Sequence, residues 1–271
     1  MIFGISNPYR VLVAVSSFNS YGQRYRPGWS DRLISADANA VGAGDRQRDP
    51  QERSQALAAL LECYWKPIYK YLRIKWQIGN EEAKDLTQGF FTLALEKNFF
   101  EKFDPARARF RTYLRMAVDG FVANERKSLS RKKRGGGIAH HSLDFAGAEE
   151  ELASLAHRPM NDGDEFFRRE WIRSLFGLAV DELRRRCQEL DKGLAFSLFE
   201  RYDLEEADSD KPVTYDHLAG ELNISLTQVT NLLAYARREF RGIVLDKIRA
   251  ATGSDEEFRA EARQLLGGDI P

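Results

Sequence analysis

From about residue 57 onward, apolar residues recur at steps of three and four, the spacing that puts them on one face of an α-helix. Leu57, Leu60, Leu61, Tyr64, Trp65, Ile68 and Leu72 predict a first helix. Pro67 lies inside it and should bend it or break its hydrogen-bond ladder. Asn80 is placed to cap a second helix, "EEAKDLTQGFFTLALEKN", whose first turn carries Glu81 and Glu82 where the helix dipole favours anions. Along it Leu86, Phe90, Leu93 and Ala94 face one way, and Asp85, Gln88, Thr92 and Glu96 another. Pro105 disfavours helix at Asp104, so "FDPARARF" predicts a turn. Phe110, Leu114, Ala117, Val118 and Phe121 then define a third amphipathic helix. No segment reads as a strand.

The third helix runs into "NERKSLSRKKRGGG", which holds Arg126, Lys127, Arg131, Lys132, Lys133 and Arg134 against the single acid Glu125. Gly135 to Gly137 end it, because glycine accepts the left-handed turn past a helix terminus. Residues 138–164 shift to Gly, His, Asp and Glu and read as a linker with one candidate short helix at "AEEELASLA". Helix returns at Glu165, with Phe167, Trp171, Leu175, Leu178 and Leu183 at helical spacing; "DLEEADSDKP" follows as a polar loop. The first fifty residues have weak periodicity and read as a poorly ordered extension with a docked segment around Trp29.

The most specific local pattern is "TYDHLAGELNISLTQVTNLLAYARREFR", Thr214 to Arg241. A short helix holds Leu218, Ala219 and Leu222. Asn223 stands where the turn needs a residue that tolerates the left-handed region. Ile224 points back to the core, and Ser225 with Gln228 three residues later forms a capping box. Val229, Leu232, Leu233, Ala236 and Phe240 form the buried stripe. Helix, tight turn, helix is the helix-turn-helix order. Gln228, Thr230, Asn231 and Tyr235 are left on the outer face, with Arg237, Arg238 and Arg241 toward its end. Amides and hydroxyls read base edges, and arginines bind phosphate or guanine. An ordinary helical hairpin with a solvated basic end fits the same segment.

The 271 residues hold 41 basic and 41 acidic side chains, so the net charge is zero. That argues against a uniformly basic coat and leaves room for local basic patches. Phosphate neutralisation is the simplest use of the 126–134 cluster, and an aromatic among arginines, such as Tyr113, can stack on an unpaired base. Cys63 and Cys187 make no disulfide framework. The run Val11 to Phe18 is too short for a membrane span and lacks a basic leader, so a soluble cytoplasmic protein is expected. The four histidines lack metal-ligand spacing, and there is no nucleophile elbow, phosphate loop or dinucleotide fingerprint. Neither an enzyme nor a cofactor or metal is expected.

"DLTQGFF" (Asp85 to Phe91), "RARFRTYLRMAVDGFVANERKS" (Arg107 to Ser128), "RKKRGGG" and the C-terminal helix-turn-helix occur in this order in bacterial sigma-70 family factors. The chain resembles the extracytoplasmic-function (ECF) type over roughly residues 52–252. The resemblance implies an all-α protein of two small helical domains joined by a linker. They would be a 52–137 region-2 bundle and a 165–252 region-4 helix-turn-helix, with the 1–51 extension, the 138–164 linker and a 253–271 tail. It implies that Asp85, Gln88 and Phe91 dock on the clamp helices of the largest subunit of core RNA polymerase. Arg109, Arg111, Tyr113, Asn124, Arg126 and Lys127 would capture the melted minus-ten strand, and Arg131, Lys132, Lys133 and Arg134 would hold adjacent backbone. Ser225, Thr227, Gln228, Thr230, Asn231, Tyr235, Arg237, Arg238 and Arg241 would read the minus-thirty-five element. Promoter DNA is then the second partner and an anti-sigma protein a candidate third. Thr230 and Tyr235 stand where the family often has basic residues, which implies a different reading of that element. The competing reading is a stand-alone helix-turn-helix regulator with an N-terminal sensor half.

Overall fold

A computed structural model of the chain describes residues 50–97, 99–129, 143–153, 162–205 and 213–267, with backbone alone for 50–56, 101, 128, 129 and 205. The proposed extension (apart from its last residues), the basics Arg131 to Arg134 and the histidines His140, His141 and His157 lie outside the described residues. Among the described residues the regular elements are α1 (Pro50–Lys75), α2 (Asn80–Glu96), a 3-10 turn (Phe99–Lys102), α3 (Phe110–Leu129), α4 (Phe145–Ala153), α5 (Gly163–Glu189), α6 (Gly193–Phe199), a π-helical turn (Glu200–Glu205), α7 (Tyr215–Leu222), α8 (Leu226–Ala250) and α9 (Asp255–Leu266). They contain no strand, so the expected all-helical class holds for them. No helix among them is long and apolar enough to cross a membrane.

The chain divides into two units, whose described parts are residues 50–174 with 250–257, and 175–249 with 258–267. Helix α5 contributes its first half to one unit and its second half to the other. These bounds differ from the sequence-based 52–137 and 165–252, because the segments expected to link or trail carry buried residues of their own.

In the first unit, α1 continues through Pro67. A proline in mid-helix costs about 3 kcal/mol. Leu60, Cys63, Tyr64, Ile68, Tyr69 and Leu72 are all buried around it, which offsets that cost. The second helix begins one residue earlier than expected. Gly79 is the cap, and Asn80 Oδ1 accepts from the Tyr69 hydroxyl at 2.8 Å instead.

The expected linker holds α4, which docks on α1. Phe145 packs 5.3 Å from the Trp65 ring and 5.0 Å from the Tyr69 ring. Glu149 accepts from Arg73 at 2.7 and 3.1 Å, and Glu151 pairs with Lys66 at 2.9 Å and with Lys70. Lys70 is buried, and its ammonium also reaches Glu170 of α5 at 2.8 Å. Arg173 pairs with the same Glu170. The candidate short helix at "AEEELASLA" is α4, which begins three residues earlier, at Phe145.

Tyr64 stacks on Phe167 and Trp171 at 6.3 and 6.4 Å, and its hydroxyl donates to Ala251 O at 2.7 Å. Gly253 lies against Phe103, which is itself buried against Phe110 at 5.2 Å. A Cβ on Gly253 would stand 2.1 Å from Phe103 Cε1. Gly253→Ala should therefore cost about 1–3 kcal/mol, the usual range for overpacking. An unchanged melting temperature would mean that the ring moves aside freely.

In the second unit, Phe240 of α8 packs 5.9 Å from Phe176 and 5.1 Å from Phe199. The expected C-terminal tail is instead an ordered helix, α9, with Phe258, Ala262, Leu265 and Leu266 buried. The Arg249 guanidinium stands 4.0 Å from the centroid of the Phe258 ring.

Candidate nucleic-acid interface

The α7–α8 corner is built by local chemistry. Thr214 accepts from the His217 N–H at 3.2 Å and caps α7. Asn223 ends α7 in the left-handed region, at φ 51° and ψ 46°, and Ile224 N–H closes the turn on Ala219 O at 3.0 Å. Ser225 and Gln228 form the reciprocal capping box. Gln228 N–H donates to Ser225 Oγ at 3.2 Å, and Ser225 N–H donates to Gln228 Oε1 at 2.8 Å. Val229, Leu233, Ala236 and Phe240 are buried along α8, while Leu232 and Ile224 are only half-buried. Ser225, Thr227, Gln228, Thr230 and Asn231 are exposed. The corner thus puts a row of hydroxyls and amides in solvent at the start of a 25-residue helix.

Farther along α8 the sequence reading needs correction. Arg237 turns inward: its guanidinium donates to Asp203 at 2.8 and 2.9 Å and to the Tyr215 hydroxyl at 3.2 Å. Asp203 belongs to the π-helical turn rather than to a polar loop and is buried. Burial pushes the Asp203 carboxyl up, against the pull of Arg237 beside it. For Arg237 burial acts to release the proton, but Asp203 outweighs it and the guanidinium holds its proton more tightly. The forked geometry, two bonds from one guanidinium to one carboxylate, makes this a charged pair. Arg241 is half-buried and donates to Leu266 O at 3.3 Å, at the end of α9; burial lowers its pKa. These two arginines hold elements together. Arg238 remains exposed, and Tyr235 is half-buried.

The first unit shows the same division. Arg109, Asn124, Arg126 and Lys127 are exposed. Arg111 is 7% exposed, with its guanidinium 5.4 Å from the centroid of the Trp171 ring. Tyr113 stacks on Phe99 at 4.7 Å and donates its hydroxyl to Phe99 O at 3.0 Å, so its ring is committed to the fold. Arg109 and Arg111 also line a solvent-open cavity of about 270 Å³ with Asp162, Asp164 and Glu165. Arg168 lines it as well, so three arginines face three acids and the cavity carries no net charge to draw in a phosphate.

Arg126 is positioned by a residue absent from the predicted apolar stripe. Its guanidinium lies 4.9 Å from the centroid of the Trp76 ring and donates to Trp76 O at 3.0 Å. Trp76 Nε1 donates to Asp119 at 2.8 Å, and Asp119 also accepts from Arg115 at 2.8 Å and from Tyr71. Burial pushes the Tyr71 phenol up to about 12, so it remains a donor at neutral pH. Trp76 lies just past the end of α1, four residues after Leu72, so it continues the apolar stripe that the sequence reading ends at Leu72.

On α2, Asp85 is exposed and Gln88 is half-exposed, but Phe91 is 5% exposed and packs 5.6 Å from Phe90. The buried face of α2 runs through Ala83, Thr87, Phe90, Phe91 and Ala94, and this places Phe91 on the core side. Arg131 to Arg134 lie outside the described residues. Comparison of the chain with protein-family models, with curated proteins and with solved structures gives no match.

Proposed function

We propose that the chain is a sigma-type initiation factor that joins core RNA polymerase to promoter DNA. The observation that carries this reading is the capped left-handed corner before α8, with Thr227, Gln228, Thr230 and Asn231 exposed beyond it. A helix entering the major groove reads bases through such side chains near its N-terminus. The "DLTQGFF" to "NERKS" resemblance supplies the polymerase and minus-ten roles. In this reading Asp85 and Gln88 meet the polymerase, and Arg109, Asn124, Arg126 and Lys127 meet the minus-ten strand. Phe91, Arg111, Tyr113, Arg237 and Arg241 are withdrawn from the contact surface. The factor makes no bonds. Binding to unpaired bases offsets the few kcal/mol that each unstacked step costs.

The test is co-purification of the full chain with core RNA polymerase, followed by run-off transcription on a promoter library. Asp85→Ala with Gln88→Ala should weaken polymerase binding on the order of tenfold, as loss of an interface centre does. Chain that binds duplex DNA but neither retains polymerase nor starts transcripts would support the stand-alone regulator instead.

A further inference from the structure

A cation distant in sequence stands on the exposed row of α8. Helix α5 ends in a left-handed residue, Asp191, at φ 53°, and the next N–H, that of Lys192, donates to Cys187 O at 2.7 Å. Lys192 is then the N-cap of α6, with Ala195 N–H on its carbonyl at 2.9 Å. Two helix ends therefore fix the backbone of Lys192. Its side chain is exposed, and its Nζ stands 3.7 Å from the centroid of the Tyr235 ring. The Arg238 guanidinium is 5.5 Å from the same centroid. Its contact with Glu239 is loose, at 3.7 Å, and 60% of the Arg238 side chain is exposed.

Gln228, Asn231, Tyr235 and Arg238 follow one another at steps of three and four, so they form one stripe of α8. Its first half carries amides, and its second half carries a ring shared by two cations. Two like charges on one ring repel, and an anion placed between them relieves that repulsion. Resting on the DNA-binding reading of α8, we propose that Lys192, Tyr235 and Arg238 form a docking point for one phosphodiester of the DNA backbone, beside the bases that the start of α8 faces. Lysine supplies a point charge with three donors and arginine a planar fork. Such a contact sets the register of the helix on the duplex and carries no base preference.

The experiment is a salt series of full-chain binding to a random-sequence DNA duplex, read by fluorescence anisotropy, with and without core RNA polymerase. Lys192→Ala should lower the log–log salt slope by about 0.9, one phosphate contact. Lys192→Arg should keep the wild-type slope. Arg185→Ala removes the same charge from an exposed α5 residue paired with Glu182 and Glu189, and it should leave the slope unchanged. Wild-type binding with an unchanged slope in Lys192→Ala overturns the docking point and leaves the DNA-binding reading standing. A wild-type chain that binds no DNA in either condition overturns both.

Discussion

Lys70→Met is expected to cost the protein about 3 kcal/mol of stability, the low end for breaking a buried ion pair. Methionine nearly matches the length and shape of the lysine stem, so packing changes little. What is lost is the cation between Glu170, 3% exposed, and Glu151. Glu170 keeps Arg173 and Glu151 keeps Lys66, which is why the higher end of the range is not expected. Chemical unfolding of the full chain measures the effect, and a loss below about 1 kcal/mol would place the network among solvated pairs. Adding Glu170→Gln should return part of the loss, because a neutral amide no longer needs the missing charge.

Acid adds a second readout. Burial works to raise the Glu151 carboxyl, but Lys70 and Lys66 outweigh it and hold it below its ordinary 4.5. Arg73 does the same for Glu149. Both groups hold protons more weakly folded than unfolded. Their stabilisation is therefore complete above about pH 4.5 and is lost as the pH falls through their lowered folded values. Lys70→Met should flatten that acid limb for Glu151 alone.

Arg237→Met carries the other large effect, also about 3 kcal/mol, because it strands a carboxylate whose side chain is only 1% exposed. The direction with pH is opposite. The Asp203 carboxyl already lies above its ordinary 3.8 through burial, and loss of the guanidinium raises it further. A raised folded value means that the folded state binds the proton more tightly. The deficit of the variant should therefore narrow as the pH is lowered toward 3.8, where Asp203 enters the core neutral. Asp203→Asn together with Arg237→Met should be less destabilised than Arg237→Met alone. If Arg237 instead contacts phosphate, thermal unfolding stays unchanged and only the salt dependence of DNA binding falls.

Most of the helices were legible, and so was most of the α7–α8 corner, although Ile224 and Leu232, both expected in the core, are half-buried. Asn223 in the left-handed region, the Ser225–Gln228 box and the stripe Val229, Leu233, Ala236 and Phe240 lie where the pattern put them. Two errors arose where two elements meet. Phe91 follows the Asp85–Gln88 spacing yet also lies four residues after Thr87, and the core claimed it. Residues 145–153 read as linker with a candidate short helix, and the docking of that helix went unforeseen because the polar Glu149 and Glu151 are what fastens it to α1.

The sequence alone determined the helix ends, turns and stripes of this protein, because these depend on neighbours within about four positions along the chain. It could not say which of the many arginines were already paired. Arg237 meets a carboxylate 34 residues away, and Arg111 lies over Trp171. An exposed cation and one matched by a distant acid or ring look the same in a string of letters. Only tertiary packing, which brings those partners within a few ångströms and strips water from them, separated the charges left at the surface from those spent on the fold.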